Sequence, residues 1–166
     1  MTVVYVGIGS NIDKHKHVEE GVKSLSLLGQ LTAMSTIYES PAVGFEGKTF
    51  FNLIVEMTTS LKLYEFSNQL KEIEIEWGRD PGAQKFQDRT LDMDILLFGQ
   101  SINKGKPQVP REDIYKYPFV IQPLFELNPE LIVPDDGRTV CQIWSQAKDL
   151  DVLRVVKPWF NPTITE

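Results

Sequence analysis

The chain has 166 residues, 42% of them hydrophobic and 24% charged, with a formal net charge of −6. That size fits one ordinary domain with room for a real core, and the acidic balance argues against general binding of nucleic acid or anionic membrane. A single cysteine, Cys141, excludes an intramolecular disulfide; no apolar run approaches the roughly 18 residues of a membrane span, and Thr2–Ile8 is too short for a secretory leader, so a cytoplasmic monomer is expected.

Val3–Ile8 reads as a buried strand ending at Gly9-Ser10-Asn11. Gly7-Ile8-Gly9 lacks the third glycine of a dinucleotide fingerprint and is rejected as one. Ser10 or Asn11 either touches a ligand or orients nearby carboxylates, or Asn11 simply caps the next element. Val18, Val22, Leu25 and Leu28 repeat at helical spacing, which predicts a helix over 15–29 stopped at Gly29. His15 and His17 fall at its polar start and do not share a face, which speaks against a metal role. Leu31–Tyr38 alternates as a second strand. The segment Ser40–Lys48, with Pro41, Gly44 and Gly47, is an irregular loop.

Phe50–Thr59 is a third strand, with Phe51, Leu53, Val55 and Met57 on one face and Asn52 and Ile54 on the other. Leu63, Phe66, Leu70, Ile73 and Trp77 predict a helix over 62–77 closed by Gly78. Residues 79–88 form a polar loop containing Arg79, Pro81, Lys85 and Phe86, suited to a lid over phosphate. Then comes Arg89-Thr-Leu-Asp92-Met-Asp94-Ile-Leu96. In a strand both carboxylates share a face, about 7 Å apart along the chain, and Leu91, Met93, Ile95 and Leu97 line the other. Two anionic oxygen ligands side by side suit Mg²⁺, which takes one or two carboxylates and leaves other positions to phosphate and water. Arg89 offers a planar fork for phosphate. Alternating aspartates also decorate the wet face of many ordinary strands, but Asp94 abuts the apolar run Leu96-Leu97-Phe98, where an unused carboxylate is costly.

After Gly99 a basic loop carries Lys104 and Lys106, followed by Val109-Pro110 and a tyrosine-rich turn. Val120–Leu127 reads as a buried helix begun near Pro123, Thr139–Lys148 as another with Thr139 as its cap, and Val152–Val156 as a last strand. Lys157–Glu166 is expected to fray. Within the second of these helices Cys141 reads as a small core residue. The whole is expected to be one α+β domain over 1–166: a ferredoxin-like β-α-β core, with a mainly antiparallel sheet and helices packed on it.

From about residue 2 to 145 the chain resembles the 6-hydroxymethyl-7,8-dihydropterin pyrophosphokinase family of folate synthesis. The resemblance rests on Gly9-Ser10-Asn11, Tyr38-Glu-Ser-Pro41-Ala-Val-Gly44, Phe51-Asn52, Gly78-Arg79, Arg89–Gly99 and Phe119–Leu131. It implies transfer of the β,γ-pyrophosphoryl group of ATP to the pterin's hydroxymethyl oxygen, with AMP released. By that similarity Asp92 and Asp94 hold two Mg²⁺ ions, Arg79 and Arg89 act on the phosphates, and Lys85 belongs to the ATP side. Ser40, Pro41, Val43 and Asn52 line the pterin's edge, with Phe50 and Phe119 at its aromatic faces. ATP and the pterin are the expected small-molecule partners.

The departures gather on the ATP side. Arg111 and Glu112 stand where the family has a histidine and an aromatic residue, Tyr117 replaces an arginine, and Pro81 and Phe86 replace an arginine and a tryptophan. Arg111 restores a positive charge with a different reach. Two other readings stay open: a pterin-binding paralogue with weak or altered ATP use, and an unrelated D-x-D enzyme such as a nucleotide-sugar transferase, for which the chain lacks a nucleotide fingerprint.

Overall fold

In the computed structural model, which describes residues 1–80, 82, 87–147 and 153–164, the alternating valines after Met1 form β1 (Thr2–Ser10). Val4, Val6 and Ile8 point into one core, Tyr5 into a second on the opposite face. The chain continues as α1 (Lys14–Leu25), β2 (Gln30–Met34), β3 (Ile37–Ser40), β4 (Phe50–Thr59), α2 (Leu63–Glu76) and β5 (Asp92–Phe98). Short helices α3 (Asp113–Lys116), α4 (Pro118–Leu127) and α5 (Val140–Gln146) come next, then β6 (Arg154–Val156). The sheet runs β5-β1-β4-β3-β6, with β2 also on β4, and β1 pairs antiparallel with both β4 and β5. This is the expected ferredoxin-like arrangement, since two β-α-β passes interleave their strands and place both helices on one side.

That side is closed by Val18, Val22 and Leu25 of α1 and Phe66, Leu70 and Ile73 of α2. The opposite face is covered only in part, where Ile121 and Leu124 of α4 and Val140 and Ile143 of α5 pack on Tyr5 and Ile54. The uncovered half of that face lies at the end of β1 and the beginnings of β4 and β5.

Several local expectations change. The stretch read as one strand over 31–38 is two, β2 and β3, because at Ser35 the side chain enters the ladder: Ile54 N–H donates to Ser35 Oγ at 2.9 Å. The row Leu91, Met93, Ile95 does not extend to Leu97. Tyr5 pairs with Leu97 while Val6 pairs with Ile95, so Leu96 is the extra residue of a bulge that sends Leu97 to the other core. The buried helix begins at Pro118, not near Pro123; proline at the first helical position has no needed N–H to lose, and Pro123 is buried inside. The tyrosine-rich turn winds into α3. Cys141 is half-buried rather than a core residue.

His17 is buried, not polar surface: its Nδ1 lies 2.6 Å from Ile12 O. The segment expected to fray from Lys157 instead lays Trp159, Phe160 and Ile164 against the first core. Trp159 rests on His15 at 4.6 Å and on Phe51 at 5.6 Å between ring centres. Before it, β6 pairs with β3, and Arg154 reaches Glu39 at 3.1 Å.

Candidate active site

Asp92 and Asp94 open β5 and alternate with buried Met93 and Ile95, so both carboxylates project to the uncovered face, 39% and 32% exposed. Their neighbours across β1 are glycines: Gly9 faces Asp92, and Gly7 faces Asp94. On its other side Gly9 faces Asn52 of β4. Asp92 and Asn52 are therefore about 10 Å apart, two strand spacings, with a residue lacking a side chain between them. A Cβ on Gly9 would stand 3.1 Å from Asn52 Oδ1. The glycines that do not make a dinucleotide fingerprint keep the floor of the site bare.

One side of this floor is electrostatic. Gly78, at φ +107°, ends α2 in the left-handed region open to glycine and turns Arg79 back, its N–H bonding Glu74 O at 3.0 Å. The Arg79 guanidinium then lies 2.9 Å from Glu74 and 3.4 Å from Asp92. Arg111 lies 3.5 Å from Asp94 and 3.0 Å from Asp113. Burial, then the adjacent Asp92 charge, pushes Asp94 well above the usual carboxylate range, with Arg111 opposing. Arg89 is 8% exposed and electrostatically coupled to Arg79, Asp92 and Glu74.

Asn11 does not cap α1, whose cap position is Asp13, and its side chain bonds Lys48, Asp88 and Arg89 rather than Asp92 or Asp94. It fastens the segment before β5: its Oδ1 accepts from Arg89 N–H at 2.7 Å, and its Nδ2 donates to Asp88 at 2.7 Å and to Lys48 O at 3.1 Å. Arg89 O accepts from the Asn11 and Ile12 N–H groups in return. Ser10 Oγ bonds Ile12 O. Arg89 is thus held by main-chain bonds at both its ends.

Glu74 is a member of the site that the sequence reading misses. It is a buried carboxylate on the apolar side of α2 whose Oε2 also accepts from Met93 N–H at 2.8 Å. The one signal in the sequence is its place four residues after Leu70, on the core stripe of the helix. Burial, then the Asp92 charge, pushes its pKa from the ordinary 4.5 up to about 7. A carboxyl raised on folding keeps a proton that the unfolded chain has released, so its contribution to stability falls as pH rises between those two values. Glu74→Gln, which is neutral throughout, should flatten the dependence of Tm on pH in that window, by at most about 3 kcal/mol of stability. Melting curves of both proteins from pH 4.5 to 7.5 test this; parallel curves would exclude the burial effect.

On the other side Asn52 Nδ2 donates to Ser40 Oγ at 2.9 Å, both residues buried, joining two of the expected pterin contacts. Pro41 and Val43 lie in the loop that leaves Ser40, with Val43 exposed. Phe50 opens β4 and meets Phe45 edge-on, ring centres 6.4 Å apart. Phe119, at the start of α4, stacks on Tyr117 at 4.9 Å with planes 15° apart. Phe50 and Phe119 do not stack on each other among the described residues. Lys85, and with it Pro81 and Phe86, lies outside the described residues.

The residues present fit a hard divalent cation. Asp92 and Asp94 put two anionic oxygen donors on one face of β5, and Mg²⁺ takes one or two carboxylates with its remaining positions filled by phosphate and water.

The family model of 7,8-dihydro-6-hydroxymethylpterin-pyrophosphokinase (HPPK) matches residues 5–129. The 2-amino-4-hydroxy-6-hydroxymethyldihydropteridine pyrophosphokinase of Aquifex aeolicus is 34% identical over 137 residues, covering 81% of this chain and 85% of its own. That of Bacillus subtilis is 32% identical over 158 residues, covering 90% and 94%. A solved structure of Plasmodium falciparum HPPK-DHPS, the S436F/A437G/A613S triple mutant with SDX-DHP, superposes with a TM-score of 0.70 at 12% identity. It covers 87% of this chain, and the chain spans 44% of that longer one.

Proposed function

The chain belongs to the 7,8-dihydro-6-hydroxymethylpterin-pyrophosphokinase family, and we propose that it transfers pyrophosphate from ATP to 6-hydroxymethyl-7,8-dihydropterin in folate synthesis. The observation that supports the reading is the row Asp92–Gly9–Asn52, in which an acid and an amide stand at opposite ends of one bare strip of sheet; in this reading the acid end takes metal and phosphate and the amide end takes the pterin. The hydroxymethyl oxygen attacks the β-phosphorus, its proton is released, and the bond from that phosphorus to the oxygen retained by AMP breaks.

Asp92 and Asp94 would hold Mg²⁺, two ions in this reading. Held by these two carboxylates, the metal would supply charge neutralisation for the phosphates. The other steps belong to the chain. Arg89, fixed by Asn11, and Arg79, fixed by Glu74, present charge where it builds on the transferring phosphates. Arg111 supplies a phosphate contact in place of the family's histidine, and Lys85 adds charge from the loop. Asn52 and Ser40, already bonded to each other, present a rigid polar edge to the pterin beside Pro41 and Val43. Phe119, backed by Tyr117, and Phe50 offer their faces to its ring. A single domain over 1–166, acting as a monomer in the cytoplasm, completes the proposal. No helix among the described residues is long and apolar enough to cross a membrane.

Phe119→Ala should weaken pterin binding by about 1–3 kcal/mol, the scale of one lost stacking contact, while leaving nucleotide binding unchanged. Calorimetry with the pterin alone measures it, and an unchanged affinity would remove Phe119 from the site. The function itself is tested by AMP release from ATP and Mg²⁺ with and without the pterin. Release that depends on the pterin supports transfer. Pterin binding without AMP release would favour a binding paralogue, a reading motivated by Arg111, Glu112 and Tyr117 on the ATP side.

A further inference from the structure

Both carboxylates of the D-x-D pair have arginine partners, and the two pairs are built differently. Arg79 is locked, since its guanidinium also bonds Glu74, a buried carboxylate that in turn holds Met93 N–H. Arg111 is held by its main chain and by one edge of its guanidinium. Its main-chain N–H bonds Leu96 O at 2.9 Å and its Nε bonds Asp113 at 3.0 Å, while its outer Nη2 stands 3.5 Å from Asp94. That outer contact is longer than a good hydrogen bond and a third exposed to solvent. A guanidinium stays charged at any working pH and has no lone pair for a metal, so it competes with a cation for Asp94 and cannot assist it there.

We propose that Arg111 is a resident counter-ion of Asp94 that opposes a divalent cation entering alone and swings onto the phosphates when cation and nucleotide enter together. The inference rests on the reading of this face as a metal–nucleotide site. The planar guanidinium turns as one body about the Cγ–Cδ and Cδ–Nε bonds, trading its Nε–H bond to Asp113 for one through another guanidinium N–H, while the main-chain bond to Leu96 O keeps the root of the residue in place. The exchange leaves every charge partnered: the cation takes Asp94, and the guanidinium takes a phosphate oxygen, which it can grip with two N–H groups. Metal and nucleotide would then each raise the other's affinity, as any two ligands linked through one shared group must. Arg111 would thus make the empty site reluctant toward free metal and receptive to the metal–nucleotide complex.

The test is calorimetric titration of the whole protein, first with Mn²⁺ alone and then with α,β-methylene ATP in saturating Mn²⁺. For Arg111→Ala the two arms should move in opposite directions: Mn²⁺ alone tighter by about threefold to tenfold, the nucleotide weaker by about the same factor, the range expected for one part-exposed charge pair. Arg111→Gln, which keeps a hydrogen-bond donor for Asp113 without the charge, should reproduce both shifts and guards against a folding defect in the alanine variant. Arg111→Lys should stay near wild type in the metal arm. Metal affinity that is unchanged or weaker in both neutral variants overturns the proposal, as does nucleotide affinity that is unchanged. Wild-type protein that binds Mn²⁺ but no α,β-methylene ATP would refute the phosphate half of the exchange and the proposed function with it; the metal arm would still report on Arg111 and Asp94.

Discussion

Asp92→Ala and Asp94→Ala should each lower turnover by about three orders of magnitude or more while the protein still folds cooperatively. The expectation comes from where the side chains stand. Neither belongs to a core cluster, both face the uncovered half of the sheet, and the packing of β5 is carried by Met93, Ile95 and Leu96. Removing a carboxylate therefore costs little burial. The loss is that of a metal ligand, and Lewis-acid stabilisation of a transferring phosphoryl group is worth several kcal/mol, with roughly 1.4 kcal/mol per tenfold in rate. Asp94→Ala also strands Arg111 with Asp113 alone, and Asp92→Ala leaves Arg79 with Glu74 alone, so neither variant leaves an arginine without a carboxylate. Initial rates at saturating ATP, alongside thermal melts, decide the matter. Near-normal Mg²⁺-dependent turnover in either variant would sink the metal assignment.

Arg89→Ala should lower kcat by about a hundredfold or more, the scale of losing one fixed electrostatic donor at a transition state. Its main chain is bonded to Asn11 from both sides, so the guanidinium leaves from a fixed root, and the pinned segment should survive the substitution. Arg89→Lys tests the fork: lysine keeps the charge but offers a point rather than a plane, and only part of the rate should return. Burial, then the Arg79 charge, lowers Arg89's own pKa, yet arginine remains protonated at working pH, so the defect should persist across the pH profile rather than appear as a shifted limb. Full activity in Arg89→Ala at any pH would exclude the residue from the chemistry.

The periodic parts of the fold are legible in the sequence. The strand Phe50–Thr59, the helix closed by Gly78 and the two-faced D-x-D strand all come from apolar spacing, because burial on one side decides them. The features that escape are decided by single polar groups or by distant partners. Ser35 splits a strand by lending its hydroxyl to Ile54, and nothing in local spacing marks that. Glu74 is an acid on the core stripe of its helix, and its partner is supplied only when β5 brings Met93 N–H to it. Asn11 looks like a cap until residues 77 and 78 positions further along reach its side chain. Leu97 changes face because Leu96 bulges, a choice made by pairing rather than by composition. The tail looks frayed for want of periodicity, yet its Trp159 finds Phe51 and His15, and Phe160 packs edge-on against Trp159. The carboxylate pair, Arg89, Arg79 and the Ser40–Asn52 pair are legible as a group through the family resemblance. The residues that hold them in place are not.

The strand β6 has a consequence for how copies of the chain meet one another. It covers Ile37, Tyr38 and Glu39 of β3, which would otherwise present a row of unpaired backbone donors and acceptors beside buried apolar side chains. Such an uncovered rim invites a strand from another molecule. The new rim that β6 offers in its place is three residues long and carries the exposed cation of Arg154, two features that discourage the same pairing. The strand β6 therefore acts as a selvage, a woven edge that keeps the sheet from being extended by its neighbours, and loss of its pairing with β3 would show as self-association at high concentration.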